Sequence, residues 1–99
     1  MTDPTTAPGI LRDAAACLAQ RATDYDQPGG ERSMPAAVAA WSAITGKQIT
    51  AAEGWLLLAT LKMVRAWSAS GYHADSFVDG VNYTALAGEA RAAEEADHG

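Results

Sequence analysis

Two cationic side chains, Lys62 and Arg65, lie three residues apart in the most apolar stretch of this sequence. Residues at this spacing share a face of an α-helix, so both cations would project from the same side of a helix through this segment. A buried charge needs a partner, unless its long side chain extends to water. The pair therefore predicts either a polar cluster or two cations that extend into solvent.

The next helical segment offers partners on one face, because steps of three and four residues stay close to a full helical turn. These candidate partners are Asp75, Asp79 and Asn82. A short connection through residues 70–74 makes the two helices antiparallel neighbours. Folding the chain about position 72 places Arg65 level with Asp79, and Lys62 level with Asn82 and Tyr83. The Arg65–Asp79 contact is then either part of a binding site or a structural ion pair that fixes helix register.

Cations gathered in an apolar setting suit a phosphate-bearing ligand, since arginine offers a bidentate fork to phosphate. Arg21, near the end of the first predicted helix, would join Lys62 and Arg65 in neutralising the phosphate. Tyr25 or Tyr83 would cover a base. The two aspartates and Asn82 would orient the cations or contact polar groups of the ligand.

The pattern of apolar residues predicts an all-α chain that folds as a bundle of four helices. The first helix runs from Ile10 to about residue 23 and is followed by a loop over residues 24–30. The second begins after Ser33 as N-cap and stops at Gly46. The third begins with the capping box of Thr50 and Glu53 and continues to about residue 69. The fourth covers about residues 75–95.

Ninety-nine residues are enough for one domain. We expect a flexible N-terminal tail at residues 1–9, a single helical domain at 10–95 and a frayed C-terminus at 96–99. Nearly a quarter of the chain is alanine, which favours helix but buries little area, so we expect an oligomer. The net charge of −5 argues against nucleic acid as a partner.

The opening residues lack the basic start and apolar run of a secretory signal, and no stretch is long enough to cross a bilayer. The single Cys17 cannot form an internal disulfide, which suits a reducing cytoplasm. Its alanine-rich surroundings predict a small buried thiol. These features predict a cytoplasmic protein.

Taken together, four short motifs resemble a family of small phage and prophage proteins that is known as a domain of unknown function. The motifs are Arg21-x-x-x-Tyr25, Trp41-Ser-Ala43, Leu61-Lys-Met-Val-Arg65, and His73-Ala-Asp-Ser-Phe-Val-Asp79 followed by Tyr83. The resemblance covers about residues 11–90 and implies a phage or prophage origin and a product of the host cytoplasm. It also implies that seven positions matter, namely Arg21, Tyr25, Lys62, Arg65, Asp75, Asp79 and Tyr83.

The chain is also loosely similar to the MazG-like all-α nucleoside triphosphate pyrophosphohydrolases. Those enzymes hold magnesium with E-x-x-E on one helix and E-x-x-D on its neighbour. The similarity implies that Asp75 and Asp79 stand for the second element and hold Mg²⁺. Lys62-x-x-Arg65 occupies the place of the first element with the opposite charge, and a hard divalent ion requires several oxygen ligands. Hydrolysis and simple sequestration of a nucleotide both remain open.

Two functions of different class follow. In the first, the chain binds a nucleotide or another phosphate-bearing metabolite at the Lys/Arg–Asp/Asp cluster between the third and fourth helices. In the second, it is a non-enzymatic interaction module that modulates a host protein through its apolar third helix. In that case the charges only fix helix register.

Overall fold

The computed structural model describes residues 2–24 and 33–98, and within these ranges the regular elements are all α-helices. The four helices are Ala7–Asp24 (α1), Met34–Thr45 (α2), Ala51–Ser68 (α3) and Ala74–His98 (α4). The all-α class and the number of helices predicted from the sequence are thus confirmed for the described residues. Tyr25 and the rest of the predicted loop through residue 30 lie outside the described residues. None of the described helices has the length and apolar content that a membrane span requires.

The structure confirms the helix ends that the sequence predicts at Thr50 and Gly46. Thr50 Oγ1 accepts a hydrogen bond from the Glu53 backbone N–H at 3.1 Å, and a Glu53 carboxylate oxygen accepts from the Thr50 N–H at 2.9 Å. This capping box satisfies two backbone donors at the start of α3. Gly46 ends α2 with a φ of 75°, a left-handed conformation in which glycine carries no steric penalty. Ser33 stands at the N-cap position of α2, although its side chain makes no capping bond there.

Helix α1 begins three residues earlier than the sequence predicts. The hydroxyl of Thr6 accepts from the Gly9 N–H at 3.2 Å, and the Thr6 carbonyl accepts from the Ile10 N–H at 2.9 Å. Thr6 is therefore an N-cap, and Pro8 falls in the first turn, where proline is tolerated. At the other end of the chain, α4 continues to His98 rather than stopping near residue 95.

An antiparallel hairpin of α3 and α4 is the centre of the fold, with α1 packed on α4 and α2 packed on α3. The buried core cluster consists of Met34, Trp55 and Leu86, one side chain from each of α2, α3 and α4. At Gly54 a Cβ atom would press on Met34 and Val38, so the missing side chain lets α2 approach α3 closely. These contacts fix the relative positions of the helices that carry the polar residues.

The buried stripe of α1 does not include Cys17. Ala14 is buried, Ile10 and Leu18 are partly buried, and Leu11 and Cys17 are exposed. The prediction of a buried thiol at Cys17 is therefore wrong. The stripe that faces α4 follows steps of four residues through 10, 14 and 18, which turns position 17 away from the hairpin.

Candidate functional site

Three helices bring two cations onto one carboxylate. Lys62 Nζ on α3 lies 3.0 Å from Asp79 Oδ2 on α4, and an Arg21 guanidinium nitrogen on α1 lies 3.4 Å from Asp79 Oδ1. The three side chains are 18%, 19% and 26% exposed for Lys62, Asp79 and Arg21, respectively. We call Arg21, Lys62, Asp79 and the neighbouring Tyr83 the Asp79 cluster. It is largely shielded from water yet open enough to be reached from solvent.

Aromatic contacts support one side of the Asp79 cluster. The rings of Trp55 and Tyr83 stack with centroids 5.7 Å apart and an angle of 21° between their planes. The Arg21 guanidinium carbon lies over the Tyr83 ring, 5.8 Å from its centroid. A guanidinium at this distance is attracted to the ring electrostatically. Tyr83 therefore links Arg21 to the buried Trp55 and holds the guanidinium beside Asp79.

The predicted helix register is wrong by three residues along α3, close to one helical turn. Asp79 meets Lys62, whereas Arg65 is exposed and makes none of the ion pairs found among the described residues. The turn explains most of the difference, because α3 ends at Ser68 and α4 begins at Ala74, so the hairpin folds about position 71 rather than 72. Arg65 thus lies in the last turn of α3, where a cation opposes the helix dipole.

Two other predicted site residues lie outside the ion pairs of the cluster. Asp75 shares the stripe of Asp79 but is exposed, because it stands in the first turn of α4, beyond the end of α3. Asn82 is only 2% exposed, and its Nδ2 finds no hydrogen-bond acceptor among the described residues. The structure therefore brings Arg21, Lys62, Asp79 and Tyr83 together. Asp75 and Arg65 take no part in the ion pairs of the Asp79 cluster. Tyr25 lies in the part of the chain that the structure does not describe.

The described residues do not fit the magnesium site that the MazG-like similarity implies. Both Asp79 oxygens already face cations, and Asp75 is exposed at the end of the bundle. Among residues 2–24 and 33–98, no group of three or more His, Cys, Asp or Glu side chains is placed to hold a metal ion. Magnesium requires several oxygen ligands at close range. The chemistry that the cluster supports is recognition of an anion by positioned N–H donors.

One structural contact of the hairpin has no signal in the sequence. A Glu94 carboxylate oxygen, near the end of α4, accepts from the Ala52 N–H in the first turn of α3 at 3.2 Å. The carboxylate satisfies a backbone donor and opposes the positive end of the helix dipole. Because the two residues are 42 positions apart, only the tertiary fold brings them together. The contact fastens the end of the hairpin opposite its turn.

Comparison with known proteins gives one family and no further relative. No curated protein matches the chain. No solved structure matches it either. The model of a domain of unknown function, DUF6378, matches residues 9–91 and so covers the helices that build the Asp79 cluster. The chain belongs to the DUF6378 family of domains of unknown function.

Proposed function

We propose that the Asp79 cluster binds a phosphate-bearing small molecule such as a nucleotide. The observation that carries this proposal is the convergence of Arg21 and Lys62, from two different helices, on the two oxygens of one largely buried carboxylate. Partial burial strengthens the attraction between these cations and an incoming anion, because the effective dielectric constant is lower than in water.

Lys62 is the residue of the Asp79 cluster that we expect to contact the ligand directly. An ammonium group carries three N–H donors, so one that contacts a carboxylate oxygen retains donors for a second acceptor. Its side chain is 18% exposed, which leaves the ammonium reachable from solvent. A phosphate oxygen would therefore bind at Lys62 while Asp79 keeps the lysine and Arg21 in place. Tyr83 acts here as a positioning residue, since it packs between Trp55 and the guanidinium.

The proposal is one of binding, and bond cleavage is not part of it. The oxygen-rich ligand set that a magnesium-dependent hydrolase needs is not formed by the described carboxylates. Sequestration of the ligand follows from the positioned cations alone. The resemblance to phage proteins supports a role inside a host cell, where the cytoplasm contains abundant nucleotides for such a site.

Thermal unfolding in the presence of candidate ligands tests the proposal. Inorganic phosphate, nucleoside monophosphates and nucleoside triphosphates are compared with and without magnesium. A ligand at 100 times its dissociation constant stabilises the folded state by about 2.7 kcal/mol. We expect stabilisation by at least one phosphate compound, loss of that effect in Lys62→Met and retention in the matched control Arg65→Met. Equal loss in both variants, or no stabilisation of the native chain, contradicts the proposal.

A second candidate function, a module that binds and modulates a host protein, is favoured by exposed apolar side chains on α2. Ile44 is 84% exposed, and Trp41 on the same helix is also exposed. Large aromatic and aliphatic residues of this kind are common anchors of protein interfaces. Capture of a host protein from lysate by the native chain but not by Ile44→Asp would support this function. Capture that depends on Lys62 instead would point back to the Asp79 cluster.

We also infer that the chain works as a homo-oligomer. The core formed by the described residues is small, since its buried cluster consists of Met34, Trp55 and Leu86. Many of the larger apolar side chains of α3 remain exposed in the single chain. Association of copies would remove part of this area from water.

A further inference from the structure

Among the described residues, α1 packs on α4 and α2 packs on α3, and one side of α3 is left open. Six large apolar side chains of α3 are exposed on this open side, and Trp67 among them is 83% exposed. They are Leu56, Leu57, Leu61, Met63, Val64 and Trp67. We call this surface the open face. It exposes on the order of 700 Å² of side chain, above the roughly 300–600 Å² of the largest apolar patch on a typical monomer.

Two hydroxyl groups within the open face can be buried without leaving an unpaired hydrogen-bonding group. The Thr60 hydroxyl donates to the Leu56 carbonyl at 2.9 Å, and the Thr84 hydroxyl on α4 donates to the Gly80 carbonyl at 2.8 Å. Both hydroxyls are therefore already satisfied within their own helices. Burial of a satisfied hydroxyl avoids the cost of about 1–3 kcal/mol that an unpaired buried group carries.

The charged residues of α3 take different positions around the open face. At about 100° per residue, Lys62 projects toward the opposite side of the helix from Val64 and Leu57, whereas Arg65 lies about 80–100° away from them. Glu53, four residues before Leu57, is exposed on the same stripe as Leu57. The ammonium of Lys62 is held on Asp79. A second copy would therefore meet one acidic residue of α3, Glu53, within this face.

The shape of the open face suits a copy of itself. Beside the apolar ridge of α3, the seam between α3 and α4 contains two shallow cavities of about 540 and 530 Å³. Small residues of α4 line these cavities, namely Gly80, Thr84, Ala85, Ala87 and Gly88. Lys62 also lines the first cavity, and Glu53 and Arg91 line the second. A helix packs by placing its ridge in the groove of its partner. A ridge and a groove on the same face are both filled at once when two copies pair about a two-fold axis.

We propose that the open face is the interface of a symmetric homodimer, in which two hairpins pack face to face. This rests on the homo-oligomer inferred above and gives it a surface and a stoichiometry. Complete burial of the six side chains would bring the area from each copy close to the roughly 800 Å² per partner of a standard stable interface. Lys62 lines one cavity of this face and also contacts Asp79, so the dimer interface and the Asp79 cluster meet at this residue.

The mass of the native chain in solution tests the proposal directly. At tens of micromolar, sedimentation equilibrium should give twice the 10.3 kDa of one chain. Leu57→Glu and Val64→Glu should each halve that mass with unchanged helical circular dichroism. Leu11→Glu on α1 is the matched control, because Leu11 is 58% exposed, as Val64 is. It should leave the dimer intact.

A monomeric mass for the native chain overturns the proposal whatever the variants do, so the result does not depend on their folding. A monomer that captures a host protein through Leu57 would assign the open face to a different partner and also overturns it. The proposal is also overturned if Leu11→Glu dissociates the dimer as fully as Leu57→Glu and Val64→Glu do. A larger assembly that persists in both of those variants overturns it as well. Failure of ligand binding at Lys62 leaves the dimer proposal standing, since the mass is measured without ligand and on variants that keep Lys62.

Discussion

Lys62 and Asp79 form the shortest ion pair of the Asp79 cluster, with 3.0 Å between Nζ and Oδ2 across the hairpin. The pair ties the middle of α3 to the first turns of α4. Arg21 approaches the other carboxylate oxygen and thereby adds α1 to the same contact. A single carboxylate therefore joins three helices, which gives Asp79 a structural role in addition to any role in ligand binding.

Removal of the Asp79 charge should destabilise the fold. In Asp79→Asn, two cations that are less than one third exposed lose their common anionic partner. Because charges left without a partner in a shielded setting are costly, we expect a loss of about 1–3 kcal/mol in the free energy of unfolding. Urea denaturation followed by circular dichroism measures the change. Asp75→Asn on the same helix is the control, and it should stay within about 0.5 kcal/mol because Asp75 is exposed. Equal effects of the two substitutions would contradict the role given to Asp79.

The ring of Tyr83 should matter more than its hydroxyl group. Tyr83→Phe keeps the stacking on Trp55 and the contact with Arg21, so the unfolding free energy should change little. Tyr83→Leu removes both contacts and should cost about 1–3 kcal/mol. Thermal unfolding of the two variants, each compared with the native chain, separates the contributions. A larger loss in the phenylalanine variant than in the leucine variant would show that the hydroxyl carries the interaction instead.

The contact between Glu94 and α3 should act as a helix cap supplied by a distant part of the chain. Glu94→Ala removes the acceptor for the Ala52 N–H and should cost about 1 kcal/mol, the usual effect of losing a cap. Its neighbour Glu95 provides the control, since it is 68% exposed and pairs with Arg91 only along its own helix. Exchange of the Ala52 amide proton with solvent gives a local readout. Faster exchange in Glu95→Ala than in Glu94→Ala would be inconsistent with this cap.

Acidification should loosen the N-terminal turn. Hydrogen bonds from the Thr5 backbone N–H and the Thr5 hydroxyl lower the pKa of Asp3 below the ordinary value of an aspartate. Since the folded-state pKa is depressed, the stabilisation is present above the unfolded-state pKa and is lost as pH falls through the folded-state pKa. The Thr5 amide resonance should shift in that range. In Asp3→Asn this pH dependence should disappear, and its persistence would assign the transition to another group.

Signals that act over a few residues were sufficient to predict most of the fold. The capping box at Thr50 and the glycine at position 46 set helix ends through contacts within one turn, and the structure confirms both. The start of α1 was missed because Thr6 caps a helix whose first turn contains a proline and a glycine, both poor helix formers. The number of helices and their class follow from apolar periodicity alone.

The candidate site was harder to predict, because its register depends on how the turn between α3 and α4 is built. The sequence predicts that Asp79 contacts Arg65, whereas in the structure it contacts Lys62, three residues earlier on α3. Arg21 was identified as a site residue, but its contact with Asp79 depends on the packing of α1 against α4, which no local pattern specifies. The contact of Glu94 with the start of α3 depends on the same tertiary arrangement.

The exposure of Cys17 provides a probe that the native sequence already contains. It is the sole cysteine of the chain and lies on α1, outside the open face, so a maleimide spin label would attach once per molecule. Two copies related by a two-fold axis would then give a single label-to-label distance in pulsed electron resonance. That distance would report the arrangement of the assembly without any substitution in the hairpin.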